Sequence, residues 1–68
     1  MQDRLKEIRK CFSKNNGYGD VEYAQKFDIA ALENGLVLTI GELQSLVDLK
    51  VSMDHFRWFI EVYRAMNH

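Results

Sequence analysis

From Asp20 to Gly35 the chain reads DVEYAQKFDIAALENG, with a helix-starting residue at one end, Asn-Gly at the other and no breaker between them. Asp20 is an N-cap type, because its carboxylate accepts from the unpaired amides of a first turn. Glu22 adds a charge that the helix dipole favours there. Val21, Ala24, Phe27 and Ala31 recur at helical spacing, and Ile29 and Leu32 widen the stripe. Gly35 supplies the left-handed residue that commonly ends a helix. The pattern predicts one helix of about four turns from Asp20 to Asn34, ahead of Gly35. Other helices must pack on it, because an amphipathic helix needs something to cover its apolar stripe.

Those other helices are legible on both sides. Residues 2–12, QDRLKEIRKCF, place Leu5, Ile8 and Phe12 on one stripe with Cys11 beside them. Glu7 with Lys10, and Asp3 with Lys6, have the spacing of weak ion pairs on the other face. Residues 13–19, SKNNGYG, read as a loop, with Tyr18 as a packing lid or an exposed ring. Leu36, Val37 and Leu38 form a short apolar connector, expected to be pinned into the core. Thr39 and Glu42 then match a capping box. They open a third helix over about 40–49 that buries Leu43, Leu46 and Val47, flanked by Ile40 and Leu49. Ser52 is an N-cap type for a last helix, and Asp54 suits its first turn.

The last helix, MDHFRWFIEVYRAM, is apolar around most of its circumference. Met53, Phe56, Phe59 or Ile60, Tyr63 and Met66 make one stripe. Trp58, Val62 and Ala65 make a second. A domain of 68 residues needs only one of them for its core. The second reads as a contact surface, since aromatic residues and Met are enriched in interfaces. The alternative is that a small core uses both.

The chain is one domain, 1–68, with a thin stability margin. Cys11 is its lone cysteine, so it forms no internal disulfide and fits a reducing cytoplasm as a small buried hydrophobe. Oligomerisation or a protein partner is the expected staple. No apolar run approaches the roughly 20 residues of a membrane span. The first residues, MQDRLKEIRK, lack the apolar core of a signal peptide. The expectation is a soluble, cytoplasmic protein without a membrane.

Catalytic and metal chemistry find no footing. His55 and His68 stand outside any nucleophile or ligand motif. Asp54, His55 and Glu61 do not fall on one helix face. NNGYG lacks the Lys-Ser/Thr of a phosphate loop. The expectation is no enzyme, no cofactor and no metal.

Charge is unevenly placed. Residues 1–14 carry five cations against two carboxylates, a net +3. Residues 20–48 carry Lys26 against six carboxylates, a net −5. Affinity for nucleic acid rests on Lys and Arg neutralising phosphates. The acidic middle therefore disfavours DNA, and Glu22, Asp28 and Glu33 become candidate residues for a protein partner.

Three segments resemble the Cro- and phage-repressor-type helix-turn-helix family. Arg4-Leu5-Lys6-Glu7-Ile8-Arg9 is similar to its first helix. Leu32-Glu33-Asn34-Gly35 is similar to the I-E-N-G that closes its recognition helix. Leu43, Leu46 and Leu49, followed by Val51-Ser52-Met53-Asp54-His55-Phe56, look like its last two helices and their cap. The middle departs from the pattern. If 21–27 is the second helix, five residues remain where a turn and a reading helix need about ten. If 25–32 is the reading helix, the second helix falls on SKNNGYG. A fused helix over 20–34 accounts for both failures.

The fold expectation is all-α: a compact four-helix domain resembling a Cro/repressor-like bundle. The functional expectation is a small regulatory protein acting by protein–protein contact. The resemblance implies a phage or mobile-element setting, as an antirepressor, modulator or inhibitor of a nucleic-acid-binding protein. Its partner-binding candidates are Trp58, Phe59, Val62, Tyr63 and Met66, with Glu22, Asp28 and Glu33. The alternative is a sequence-specific DNA-binding repressor, dimeric through the last helix, that uses Gln25, Lys26, Arg9 and Lys10.

Overall fold

The computed structural model describes residues 4–12 and 18–66. Among these lie four α-helices and no strand. They are α1 Arg4–Phe12, α2 Tyr18–Glu33, α3 Ile40–Asp48 and α4 Phe56–Met66, with one 3-10 turn over Met53–His55 leading into α4. The chain is an all-α four-helix domain. None of its described helices is long and apolar enough to cross a membrane.

The second helix is the hub. α1 packs on one side of it and α3 on another, and α4 closes over α3. Ala24, Phe27 and Ala31 are fully buried along the inner stripe of α2. They meet Ile8 and Phe12 of α1, Leu43, Leu46 and Val47 of α3, and Phe56 and Ile60 of α4. The Phe27 ring sits edge-on to Tyr23 at 4.9 Å between centroids and 6.1 Å from Phe56. Small Ala24 and Ala31 on either side let the neighbouring helices approach this ring closely.

The helix predicted over 20–34 is single and unbroken, but it begins two residues earlier, at Tyr18. Asp20 therefore lies in its first turn and is not the N-cap. Residues 18–19 belong to the helix and not to the predicted loop; 13–17 lie outside the described residues. Gly19 joins the helix at a cost of about 1 kcal/mol relative to alanine, which packing overrides. Ile29 and Leu32 do not join the buried stripe; they are 48% and 54% exposed. Two positions along a helix rotate a side chain by about 200°, so Ile29 points away from Phe27.

Helix ends follow their sequence signals. Gly35 at φ 77° closes α2 with a Schellman motif, Leu36 N–H donating to Ala31 O at 2.8 Å and Gly35 N–H to Leu32 O at 3.1 Å. The same motif closes α3 on a non-glycine: Lys50 takes φ 52°, and Val51 N–H donates to Leu46 O at 3.1 Å. The Thr39–Glu42 capping box is present in both directions. Ser52 behaves differently from the expected cap. Its side chain accepts from no helix amide and lies 3.0 Å from His55 Nδ1, while its carbonyl accepts from His55 N–H.

The connector is pinned at one point more than along its length. Leu38 is fully buried and Leu36 half-buried, while Val37 is 70% exposed. Leu49, expected to flank the α3 core face, is likewise exposed. On α1, Glu7 pairs with Arg4 at 3.5 Å and not with Lys10. The Asp3–Lys6 pair lies outside the described residues. Cys11 is half-buried against the core, a packing thiol.

Candidate functional site

Two arginines, one near each end of the chain, grip the connector between α2 and α3. Arg4 Nε and Nη2 donate to Asp28 Oδ1 at 3.2 and 3.0 Å, and Nη2 also donates to the Leu38 carbonyl. Arg64 Nε donates to Glu42 Oε2 at 2.6 Å, and its Nη2 donates to Glu42 Oε1 at 3.0 Å and to the Val37 carbonyl at 2.9 Å. The two forks hold adjacent carbonyls, so each fixes one peptide of a segment that has no regular hydrogen bonding of its own.

Asp28 is the clearest correction to the expected site. A partner-binding role needs an accessible carboxylate, yet that of Asp28 is almost fully buried under Arg4. It sits one position beyond Phe27, about 100° round the helix, which turns it inward toward α1. It is a structural anchor and is withdrawn from partner binding. Asp28→Asn keeps the shape and removes the charge, and should cost about 1.5–3 kcal/mol in urea unfolding, the value of a hydrogen bond to a charged group. A cost near zero would mean that Arg4 is held by the Leu38 carbonyl alone.

Glu42 carries a perturbed carboxyl. The Arg64 hydrogen bond holds it below the usual carboxylate range, against the opposing effect of burial, and the Thr39 N–H helps. The same bond raises the Arg64 guanidinium. Both partners are committed to the fold, which leaves them structural.

The outer face of α4 is where side chains remain uncommitted. Phe56 and Ile60 point inward, and Phe59 and Tyr63 are half-buried with their rings 5.9 Å apart. Trp58 is 63% exposed, Val62 36% and Met66 79%. The second stripe is thus outside the core, and Met66 joins it from the stripe expected inside. Trp58, Val62 and Met66 fall at i, i+4 and i+8, one continuous ridge along the helix.

The remaining candidates lie on the other two surfaces. Glu22, Lys26 and Glu33 are exposed along the outward side of α2, and Gln25 is half-buried there. Arg9 and Lys10 are exposed on α1 beside Lys6. What sequence reasoning missed is the apolar content of the α2 surface. Leu32 and Val37 line a cleft of about 420 Å³ over Arg4 and Asp28, and Ile29 lines another of about 270 Å³ with Lys26, Ala30, Glu33 and Met53. The missed signal was angular: Ile29 is two positions from Phe27 and cannot share its face.

α2 runs unbroken from Tyr18 to Glu33, through the region where a turn would divide the two helices of a helix-turn-helix. Among those residues no group of three or more His, Cys, Asp or Glu side chains is placed to hold a metal ion. Comparisons with protein-family models, with curated proteins and with solved structures give no match to this chain.

Proposed function

We propose that this chain is a small non-enzymatic regulatory protein that acts by protein–protein contact, engaging a repressor or another nucleic-acid-binding protein. The observation that carries the reading is the ridge of Trp58, Val62 and Met66 on α4, 63%, 36% and 79% exposed. Tryptophan and methionine are enriched at binding surfaces, and a large aromatic left in water is the usual anchor of one. The choice of target draws on α2. An unbroken α2 has no turn where the resemblance would place one ahead of a reading helix, and exposed Glu22 and Glu33 offer carboxylates to a cationic surface as phosphates would.

The test uses the chain as bait against extract of its source cells, beside Trp58→Ala/Val62→Ser. The wild type should retain a protein that the double variant loses at least about tenfold, or ~1.4 kcal/mol. Trp58 is 63% and Val62 36% exposed, so the unfolding free energy should shift by about 1 kcal/mol or less. Equal retention by the double variant would remove α4 as the contact. The second reading, a DNA-binding repressor, draws on the exposed Lys6, Arg9 and Lys10 of α1. A gel shift with salt titration separates the two, since tight binding to one short palindrome, weakening steeply as salt rises, favours the repressor.

A further inference from the structure

We propose that the chain forms an antiparallel homodimer across the outward face of α2, with Ile29 of the two copies meeting at the twofold axis and Lys26 of each copy paired with Glu33 of the other. This contact leaves the α4 surface of the proposed function outward; it draws Glu33 into the dimer, so that Glu22 is the carboxylate of that reading which stays on the acidic face.

The argument starts from three residues on one face. Ile29 is 48% exposed, large and apolar. Lys26 lies one turn before it and Glu33 one turn after, and the three line a single cleft of about 270 Å³ with Ala30 and Met53. Among the described residues neither Lys26 nor Glu33 takes part in an ion pair. The pattern along the face is therefore cation, apolar residue, anion.

Such a pattern is complementary to itself in one orientation. A second α2 laid parallel in the same register sets Lys26 against Lys26 and Glu33 against Glu33. Laid antiparallel about a twofold between positions 29 and 30, it sets Lys26 against Glu33 twice. A twofold contact needs one patch that matches its own copy, and this patch does. Ala30 beside the axis is short enough for the two helices to approach at the usual 8–10 Å. The Ile29 side chain of each copy then enters the cleft that the other copy lines with Met53. Leu32 and Val37, 54% and 70% exposed, share the neighbouring cleft and add apolar surface beside the patch. A chain of this size gains from such a staple, because association stabilises only the folded form.

A charge swap tests it. The wild type, Lys26→Glu, Glu33→Lys and the double variant are compared by sedimentation equilibrium over a range of concentrations, with circular dichroism confirming that each keeps its helices. The wild type should show a monomer–dimer equilibrium that weakens with salt. Each single reversal sets like charges face to face at two places and should raise the dissociation constant at least about tenfold. The double variant restores opposite charges at both places and should return to within about threefold of the wild type. A wild type that stays monomeric throughout, or a double variant as dissociated as the singles, overturns the proposal. So does a dimer that ignores all three variants and is broken by Trp58→Ala, which would place the contact on α4.

Discussion

Phe27→Ala should leave the chain without a stable fold at room temperature. The ring is fully buried at the middle of α2, the helix on which α1 and α3 both pack. Its removal deletes the edge contact with Tyr23 and the contact with Phe56, and so loosens α2 from the start of α4. Truncating a buried Phe to Ala costs about 3–5 kcal/mol, part lost transfer energy and part cavity. A 68-residue chain has roughly 3–10 kcal/mol in total, at about 0.05–0.15 kcal/mol per residue. The loss consumes most or all of that. Flanking residues cannot close the gap, because Ala24 and Ala31 have no longer side chain to move into it. Thermal melting by far-UV circular dichroism is the measurement. The variant should show low helicity or a transition displaced far below the wild type. Ile29→Ala, two positions away on the same helix, should change stability by less than about 0.5 kcal/mol apart from any effect on self-association. Similar melting of Phe27→Ala and the wild type would show that α2 is not the hub.

Glu42→Gln should cost about 2–3 kcal/mol and flatten the acid limb of the stability profile. One carboxylate serves two elements here. Its Oε1 accepts from the Thr39 N–H at 2.9 Å, completing the α3 cap, and both oxygens accept from the Arg64 fork of α4. The amide of glutamine keeps one acceptor and turns donor hydrogens toward a guanidinium. Losing one member of a buried pair costs about 3–5 kcal/mol. The smaller figure applies because the Arg64 side chain is 43% exposed, so water screens the pair and rehydrates the freed arginine.

The pH dependence has a definite sign. The Arg64 hydrogen bond depresses the folded carboxyl of Glu42 below its unfolded value. Its stabilisation is therefore fully present above the ordinary carboxylate range and is lost as pH falls through the depressed folded value, where the native state must take up a proton. Urea midpoints measured from neutral pH into acid should fall in the wild type and fall less steeply in Glu42→Gln. Parallel profiles for the two proteins would mean that other carboxylates control the acid limb.

Much of this architecture is readable without coordinates. The helical spacing of Ala24, Phe27 and Ala31, the Asn34-Gly35 stop and the Thr39–Glu42 box each depend on residues within two or three turns of one another. Local rules see such patterns. The Arg4–Asp28 and Arg64–Glu42 forks were invisible, because their members are 24 and 22 positions apart and no spacing rule connects them. The candidate surface divided in the same way. That α4 carries more apolar residues than one core face requires is a property of its sequence. That Trp58 and Val62 face out, while Phe59 and Tyr63 are half-covered, depends on the rotation of α4 against α3.

Local residue patterns set the class of fold, the number and order of the helices, most of their ends and the unbroken course of α2. Tertiary structure alone decided which carboxylates are surface and which are anchors. It withdrew Asp28 from the acidic face, left Glu22 and Glu33 on it, and set Ile29 and Leu32 in solvent beside them. The physical reason is that helix formation is governed by local hydrogen bonding and side-chain spacing. The fate of a charge is governed by whichever group, distant in sequence, is brought against it, and here that group is an arginine 24 positions away on the neighbouring helix.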